Sequence, residues 1–327
     1  MRSSLRWLGL LGALLLAAPA HAALDPAAWI RLAASVLKVE VIRMQGGYSL
    51  GSGVVVEGGR VVTNCHVTRD AQQIAVLQRG LRLPAQTQQV DAFHDLCVLH
   101  VRGLDAALAV PLAPATQLTI GQPLTAIGHT AGALQRSDGE VLALHRMDGA
   151  RVIQSSNYFN SGASGGGLFD ADAHLVGVLS FRLRGGAAHY FAVPSEWLAT
   201  QLRDASRGEP IGPLGAGALA FWERPLDTQP LFLRAAVLER DGDWNALQPL
   251  ATDWLRRADG DPEPWYLLGV ALDRQGRGAE ARHAFECSLA TPPGDPRARA
   301  ELKRVASPDP DTSPDADAPP DAAACHL

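Results

Sequence analysis

The chain has no surplus of positive charge: 29 Lys and Arg stand against 34 Asp and Glu over 327 residues, for a formal net charge of −5. No basic patch breaks that balance, which excludes the electrostatic footprint of a nucleic-acid binder. A phosphate-cradling glycine loop, a dinucleotide fingerprint, a metal-ligand cluster and a calcium-loop spacing are all missing, so neither a cofactor nor a metal is expected. Beyond the first twenty residues no stretch is apolar for long enough to cross a bilayer. Aromatics make up only 6 % of the chain, and there are only four cysteines. The rest is the composition of a globular protein, long enough for two or three domains.

What is present begins with an export signal. Arg2 and Arg6 precede an apolar run from Trp7 to Ala18, and Pro19-Ala20-His21-Ala22 follows. A basic start, a short apolar core and an Ala-x-Ala ending predict a signal peptide over 1–22, cleaved after Ala22. The run is short for a membrane anchor, and no cysteine follows it where a lipoprotein would carry one. The mature chain is therefore expected to be periplasmic or secreted, with no stable membrane span. In that compartment Cys65, Cys97, Cys287 and Cys325 can be oxidised.

From about residue 30 to 202 the pattern is that of strands. Val36 to Met44 alternates and is rich in β-branched residues, and Tyr48–Glu57 and Arg60–Thr63 read as a hairpin closed by Gly58-Gly59. Short apolar runs follow at Ile74–Leu77, Cys97–Val101, Leu124–Ile127, Val141–Leu144, Arg151–Gln154, Leu168–Phe169, Leu175–Phe181 and His189–Val193, separated by turn residues. Many short strands at such spacing predict barrels or sandwiches. A break near 111–114 divides the region into two halves of similar size.

Three motifs carry chemistry. Asn160-Ser161-Gly162-Ala163-Ser164-Gly165-Gly166-Gly167 sets a serine among glycines, where the backbone turns tightly and the N–H groups of Gly162 and Ser164 can meet an oxyanion. Taken alone it is equally a flexible loop. A serine nucleophile needs a base, and Val61-Val62-Thr63-Asn64-Cys65-His66-Val67 places a histidine where a strand ends. His94-Asp95-Leu96-Cys97-Val98-Leu99 places an acid at the head of an apolar strand. A lone histidine is more often structural, and Asp95 alone reads as a strand cap. The three together, in the order His, Asp, Ser, match one of the convergent serine triads.

These residues resemble the chymotrypsin-like serine proteases, and among them the bacterial HtrA-type and trypsin-like secreted peptidases. Gly51-Ser52-Gly53 and Val62-Thr63-Asn64-Cys65-His66-Val67 resemble that family's approach to its histidine, and Gly162-Ala163-Ser164-Gly165-Gly166 its nucleophile loop. Leu175-Val176-Gly177-Val178-Leu179 and Phe191-Ala192-Val193-Pro194 resemble its last strands. The resemblance implies an all-β domain over 23–202, two six-stranded antiparallel barrels with the site in the cleft between them. It implies His66 as general base, Asp95 as its orienting partner, Ser164 as nucleophile and Gly162 with Ser164 as oxyanion hole. Ser180, Phe181 and Arg182 are implied as the edge that pairs with substrate. Two positions depart from the pattern. Ala163 stands where trypsin-type enzymes carry an aspartate that pairs with a newly cut N-terminus, and Gly167 stands where proline is common. If His66 meets Asp95, then Cys65 and Cys97 are drawn close enough to bridge; the alternative is a pair of buried thiols. Asn157, Tyr158 and Phe159 form no acidic floor for a specificity pocket, which points by elimination to apolar side chains. Arg182 and Arg184 would instead favour acidic ones, or are solvated edge residues.

Residues 203–227 carry several Gly and Pro and read as a linker. From 228 to 305 the period becomes helical. Trp265, Leu268, Gly269, Ala281, Phe285 and Pro293 fit the tetratricopeptide pattern. Thirty-four residues earlier stand Leu231, Arg234, Ala235, Leu247 and Ala251, with Gly242 answering Gly276. Two such repeats, over about 228–295, are expected, with a capping helix over Ala298–Ala306; the alternative is a plain helical hairpin packed on the barrels. The tail, 306–327, is Pro, Asp and Ala with little else and is expected to be disordered. The functional expectation is an exported serine endopeptidase acting on proteins or peptides, whose repeats bind a partner or drive self-association. The competing expectation is a protease fold that no longer cuts and serves as a binding scaffold.

Overall fold

The structure is a computed structural model and describes residues 24–183, 189–204, 206, 208–215, 217–257, 260–305 and 325. The expected signal peptide, Arg184 and the tail apart from Cys325 lie outside the described residues. Helix α1 (Pro26–Ser35), capped by the Asp25 carboxylate on the N–H groups of Ala27 and Ala28, leads into the first strand.

Two closed antiparallel barrels of six strands follow. The first holds β1 (Val36–Arg43), β2 (Tyr48–Val56), β3 (Arg60–Thr63), β4 (Ala71–Gln78), β5 (Leu81–Asp91) and β6 (Leu96–Val101). Around the barrel the order is β1-β2-β3-β6-β5-β4, closed by β4 on β1. The second holds β7 (Pro123–Thr130), β8 (Ala133–Met147), β9 (Ala150–Ser155), β10 (Gly167–Phe169), β11 (Leu175–Arg182) and β12 (Tyr190–Pro194), in the order β7-β8-β9-β12-β11-β10. The same order thus occurs twice. A one-turn helix, α2 (Cys65–Thr68), follows β3, and α3 (Ser195–Arg203) follows β12.

The strands explain their own sequences. Val55 of β2 faces the interior of the first barrel, while Val54 and Val56 face the seam shared with the second barrel and the helices. Both faces of β2 are buried, so its end is an unbroken apolar run rather than an alternation. The exception is β5, whose first half lies in solvent. Its polar sequence with Pro84 gives no apolar period, and it is the one barrel strand that the pattern does not announce.

Beyond α3 the chain runs along the first barrel, adding a two-residue strand β13 (Glu209–Pro210) to β5. Five helices follow: α4 (Leu231–Asp241), α5 (Trp244–Arg257), α6 (Glu263–Arg274), α7 (Gly278–Ala290) and α8 (Pro296–Val305). Gly242 and Gly276, one period apart, turn α4 into α5 and α6 into α7 with φ of 68° and 78°, a left-handed backbone that favours glycine. A Cβ on Gly269 would stand 2.5 Å from the Phe285 ring, so only glycine lets α6 and α7 approach this closely. The helices dock on the second barrel. His145 of β8 bonds Glu263 of α6 at 2.7 Å and stacks on Phe232 of α4 at 4.4 Å. Burial alone would raise the Glu263 carboxyl, but His145 and Arg297 outweigh it and hold it below the usual range. Beside this contact lies a cavity of about 630 Å³, lined in part by Glu239, Tyr266 and Arg297.

Both cysteine pairs are bridged. Cys65 joins Cys97 within the first barrel, with Cα atoms 5.0 Å apart. Cys287 of α7 joins Cys325 with Cα atoms 5.4 Å apart, a pairing the sequence left unassigned.

Candidate active site

The pairing of β3 with β6 places the first two residues. Thr63 lies opposite Cys97 in that ladder, so α2 begins where the turn before β6 ends. Asp95 sits in that turn with φ of 60°, a left-handed backbone rare for a residue with a side chain. Its main-chain oxygen accepts from Asn64 Nδ2 at 2.9 Å and from the Cys65 N–H at 3.4 Å, which secures the strained turn.

The Asp95 carboxylate is fully buried and receives four donors. Oδ1 accepts the His66 backbone N–H at 2.9 Å. Oδ2 accepts His66 Nδ1 at 2.8 Å, Ser180 Oγ at 2.6 Å and Trp222 Nε1 at 3.3 Å. A buried charge needs such partners, and this one has them from three separate stretches of chain. The His66 side chain remains 22 % exposed, at the mouth of the cleft. Burial pulls its imidazole down, but the charge and hydrogen bond of Asp95, helped by Glu223, outweigh burial and raise it above its ordinary value of 6.5. With Nδ1–H given to the carboxylate, Nε2 is left as the basic nitrogen.

The serine loop is built between the barrels. A Cβ on Gly165, whose φ is 85°, would lie 2.1 Å from the Ser52 carbonyl oxygen; a Cβ on Gly162, φ 97°, would lie 2.7 Å from that of His129. Ser52 of β2 fastens the loop by donating its N–H to the Ser164 carbonyl at 2.8 Å and its hydroxyl to the Gly162 carbonyl at 2.8 Å. Thr63, at the end of the strand that leads into the turn of helix holding His66, donates to the Ser52 carbonyl at 2.7 Å. Among the described residues, the N–H groups of Gly162 and Ser164 donate to no protein acceptor.

His66 and Asp95 touch directly; Ser164 joins them through Ser180. The Ser164 hydroxyl donates to the Ser180 carbonyl at 3.2 Å, while the Ser180 hydroxyl donates to Asp95. A register shift between Leu179 and Phe181 in the pairing of β11 with β12 takes Ser180 out of the ladder. Phe181 is buried, stacked between Phe191 at 4.7 Å and Trp222 at 5.0 Å. Arg182 is exposed and donates to Asn160 Oδ1 at 3.1 Å. Asn157 is fully buried and holds the carbonyls of Leu124 and Ser137, so its amide is structural. Phe159 and Tyr158 flank Tyr190. A cavity of about 180 Å³ opens beside Ala163, lined by the apolar Ala126, Phe159 and Leu179 and by the polar Thr130, Gln135, Ser137 and Asn160; Arg136, which also lines it, is paired with Asp138.

Sequence reasoning placed Ser52 only within the Gly51-Ser52-Gly53 motif, without a role, and missed Arg69, Trp222 and Glu223. The signal for the last two was the pair Phe221-Trp222, large apolar residues in a Gly- and Pro-rich stretch that water would not hold. Away from the cleft, the turn between β10 and β11 brings ligand atoms of Asp170, Asp172 and His174 within 4.8 Å of one another. The Asp170 carboxylate there accepts the Asp172 and His174 N–H groups of its own turn.

Residues 51–178 match the family model of the trypsin-like peptidase domain. The chain is 32 % identical over 231 residues to a probable periplasmic serine endoprotease DegP-like of Halomonas elongata, across 64 % of this chain and 46 % of that one. It is 32 % identical over 170 residues to the periplasmic pH-dependent serine endoprotease DegQ of Escherichia coli, across 47 % of this chain and 37 % of that one. The chain thus spans less than half the length of these curated relatives. Among solved structures, the active form of a protease from M. tuberculosis matches with a TM-score of 0.52 over 58 % of this chain and 91 % of that one; at 21 % identity this shows the shared fold.

Proposed function

From the premise that this chain carries a chymotrypsin-like, HtrA-type serine protease domain, we propose that it is an exported serine endopeptidase acting on protein or peptide substrates. Ser164 Oγ attacks the scissile carbonyl carbon as His66 Nε2 takes its proton. The tetrahedral oxyanion is met by the N–H groups of Gly162 and Ser164. Collapse breaks the C–N bond, and His66 returns the proton to the leaving amine. Water then attacks the acyl carbon as His66 takes its proton; collapse breaks the bond to Ser164 Oγ, which receives that proton back from His66, and the acyl group leaves as a carboxylic acid that ionises in water. Asp95 fixes the imidazole tautomer and stabilises the imidazolium. Ser164 exchanges its bond to the Ser180 carbonyl for one to His66 when substrate fills the cleft, since such bonds tighten in the Michaelis complex. The edge at Ser180, Phe181 and Arg182 pairs with the substrate backbone, and an apolar side chain of the substrate rests against Ala126, Phe159 and Leu179 in the mixed-lined cavity beside Ala163.

The observation that carries this reading is the buried Asp95 carboxylate on His66 Nδ1, joined through Ser180 to a serine in a glycine-built turn. The helical hairpins α4–α5 and α6–α7, in register at 34 residues, act as tetratricopeptide-like repeats that bind a partner or a second copy. The periplasm is the compartment, in keeping with an export signal over 1–22 and with periplasmic relatives. A fluorophosphonate probe tests the chemistry, because it labels only an activated serine. Labelling of the wild type at Ser164, lost in Ser164→Ala, is expected; no labelling of either favours the non-cutting scaffold.

A further inference from the structure

Residues 208–215 and 217–224, whose composition reads as a linker, are fastened to the two segments that carry His66 and Asp95. The Leu214 N–H donates to the Arg69 carbonyl at 2.7 Å, and the Phe221 N–H to the Phe93 carbonyl at 2.9 Å. Arg69 lies three residues past His66, and Phe93 two residues before Asp95. Three consecutive side chains complete the attachment. Phe221 is fully buried, with the rings of Phe93, Phe181, Trp197 and Phe232 between 5.7 and 6.3 Å away. Glu223 forms an ion pair with Arg69 using both carboxylate oxygens, and also accepts the Ala220 N–H at 3.1 Å. Trp222, held between these two anchors, donates Nε1–H to Asp95 Oδ2 at 3.3 Å. Its ring meets His66 at 87° and 5.4 Å, and lies on Phe181 at 14°.

We propose that Trp222 is a positioning residue for the His66–Asp95 pair, supplied to the cleft by the segment that joins the barrels to the helices. This rests on the reading of His66 as base and Asp95 as its orienting acid. The donor from Trp222 gives Oδ2 a third bond, which restricts rotation of the carboxylate and draws some of its charge away from the imidazolium. The indole also covers one side of His66 and so limits the directions in which the ring can tilt. Because Phe221 packs on Phe232 of α4, the docked helices hold Trp222 in place, and a ligand of the helices that shifts α4 would act on the pair through this route.

The test is Trp222→Phe in the full chain, which keeps an aromatic ring against Phe181 while removing the indole N–H and narrowing the cover over His66. Two readouts are taken: the His66 titration followed by NMR of its ring nitrogens, and kcat and KM for a peptide substrate across pH. The charged groups acting on His66 are Asp95, Glu223 and Arg69. Losing the Trp222 donor leaves the Asp95 charge less neutralised, so the His66 titration moves to higher pH. At 3.3 Å this is a long bond, so its loss through poorer positioning of the pair should lower kcat by roughly two- to fivefold, and KM should change little. Glu223→Gln, which keeps the indole but removes a charge favouring the imidazolium, should move the titration the other way. If Trp222→Phe leaves both the His66 titration and kcat at wild-type values, the proposal is overturned, whatever happens to thermal stability. If wild type neither cleaves peptides nor labels at Ser164, the endopeptidase reading fails, and the NMR titrations alone decide for or against Trp222.

Discussion

Asp95 grips His66 at two points, taking the backbone N–H on Oδ1 and the ring Nδ1 on Oδ2. The carboxylate therefore fixes both where the residue sits and which way its ring faces. It does so from a left-handed turn held by Asn64 and the Cys65 N–H, beside the Cys65–Cys97 bridge.

Replacing Asp95 with Asn separates these roles. The amide still accepts the His66 N–H, so the fold should persist. Its NH2 cannot accept from Nδ1, so the neutral ring moves its proton to Nε2, the atom that must serve as base. Turnover should fall on the order of ten-thousandfold with little change in KM. Steady-state kinetics with a unfolding control read both; a loss under tenfold contradicts the assigned role.

The pH profile follows from the charges around His66. Its imidazole is raised above 6.5 because Asp95, and then Glu223, outweigh burial. The base works only when deprotonated, so kcat/KM should climb with pH through a point above that ordinary value. An acid limb centred below 6.5 would show that burial dominates and that the Asp95 contact is broken in solution.

Much of this was legible in the sequence, for identifiable reasons. Strands with two buried faces, such as the end of β2, announce themselves as apolar runs. The glycines around Ser164 are demanded by close backbone contacts, as at Gly165 against the Ser52 carbonyl. The turns at Gly242 and Gly276 mark the helical period because their backbone is left-handed. What stayed hidden depends on contacts between distant stretches. β5 is polar because half of it faces water; Ser52 looks like any strand serine; and Trp222 lies 127 residues from the carboxylate it meets.

The docked helices carry a pH signature of their own. Burial pushes the Glu239 carboxyl of α4 up to about 7. A carboxyl raised in the folded state contributes stability that is fully present below its unfolded value, near 4.5, and is lost as pH rises through 7. The side chain is not wholly enclosed, so the effect should be on the order of 1 kcal/mol. Glu239→Gln removes it. The variant should melt about 2–4 °C above wild type at pH 8 and no higher at pH 4. Equal melting temperatures at pH 8 would mean that the carboxylate is solvated there.

The central claim is that Ser164 is a nucleophile activated by His66 and Asp95. Cleavage of a peptide library by the wild type and by Ser164→Ala, with matched circular dichroism, tests it most directly. The substitution removes one oxygen from a loop whose turns rest on glycines and on Ser52, so the fold should survive. Wild type should cut, and the variant should lose about a millionfold in turnover. Equal cleavage by the two proteins would contradict the account by placing the chemistry elsewhere.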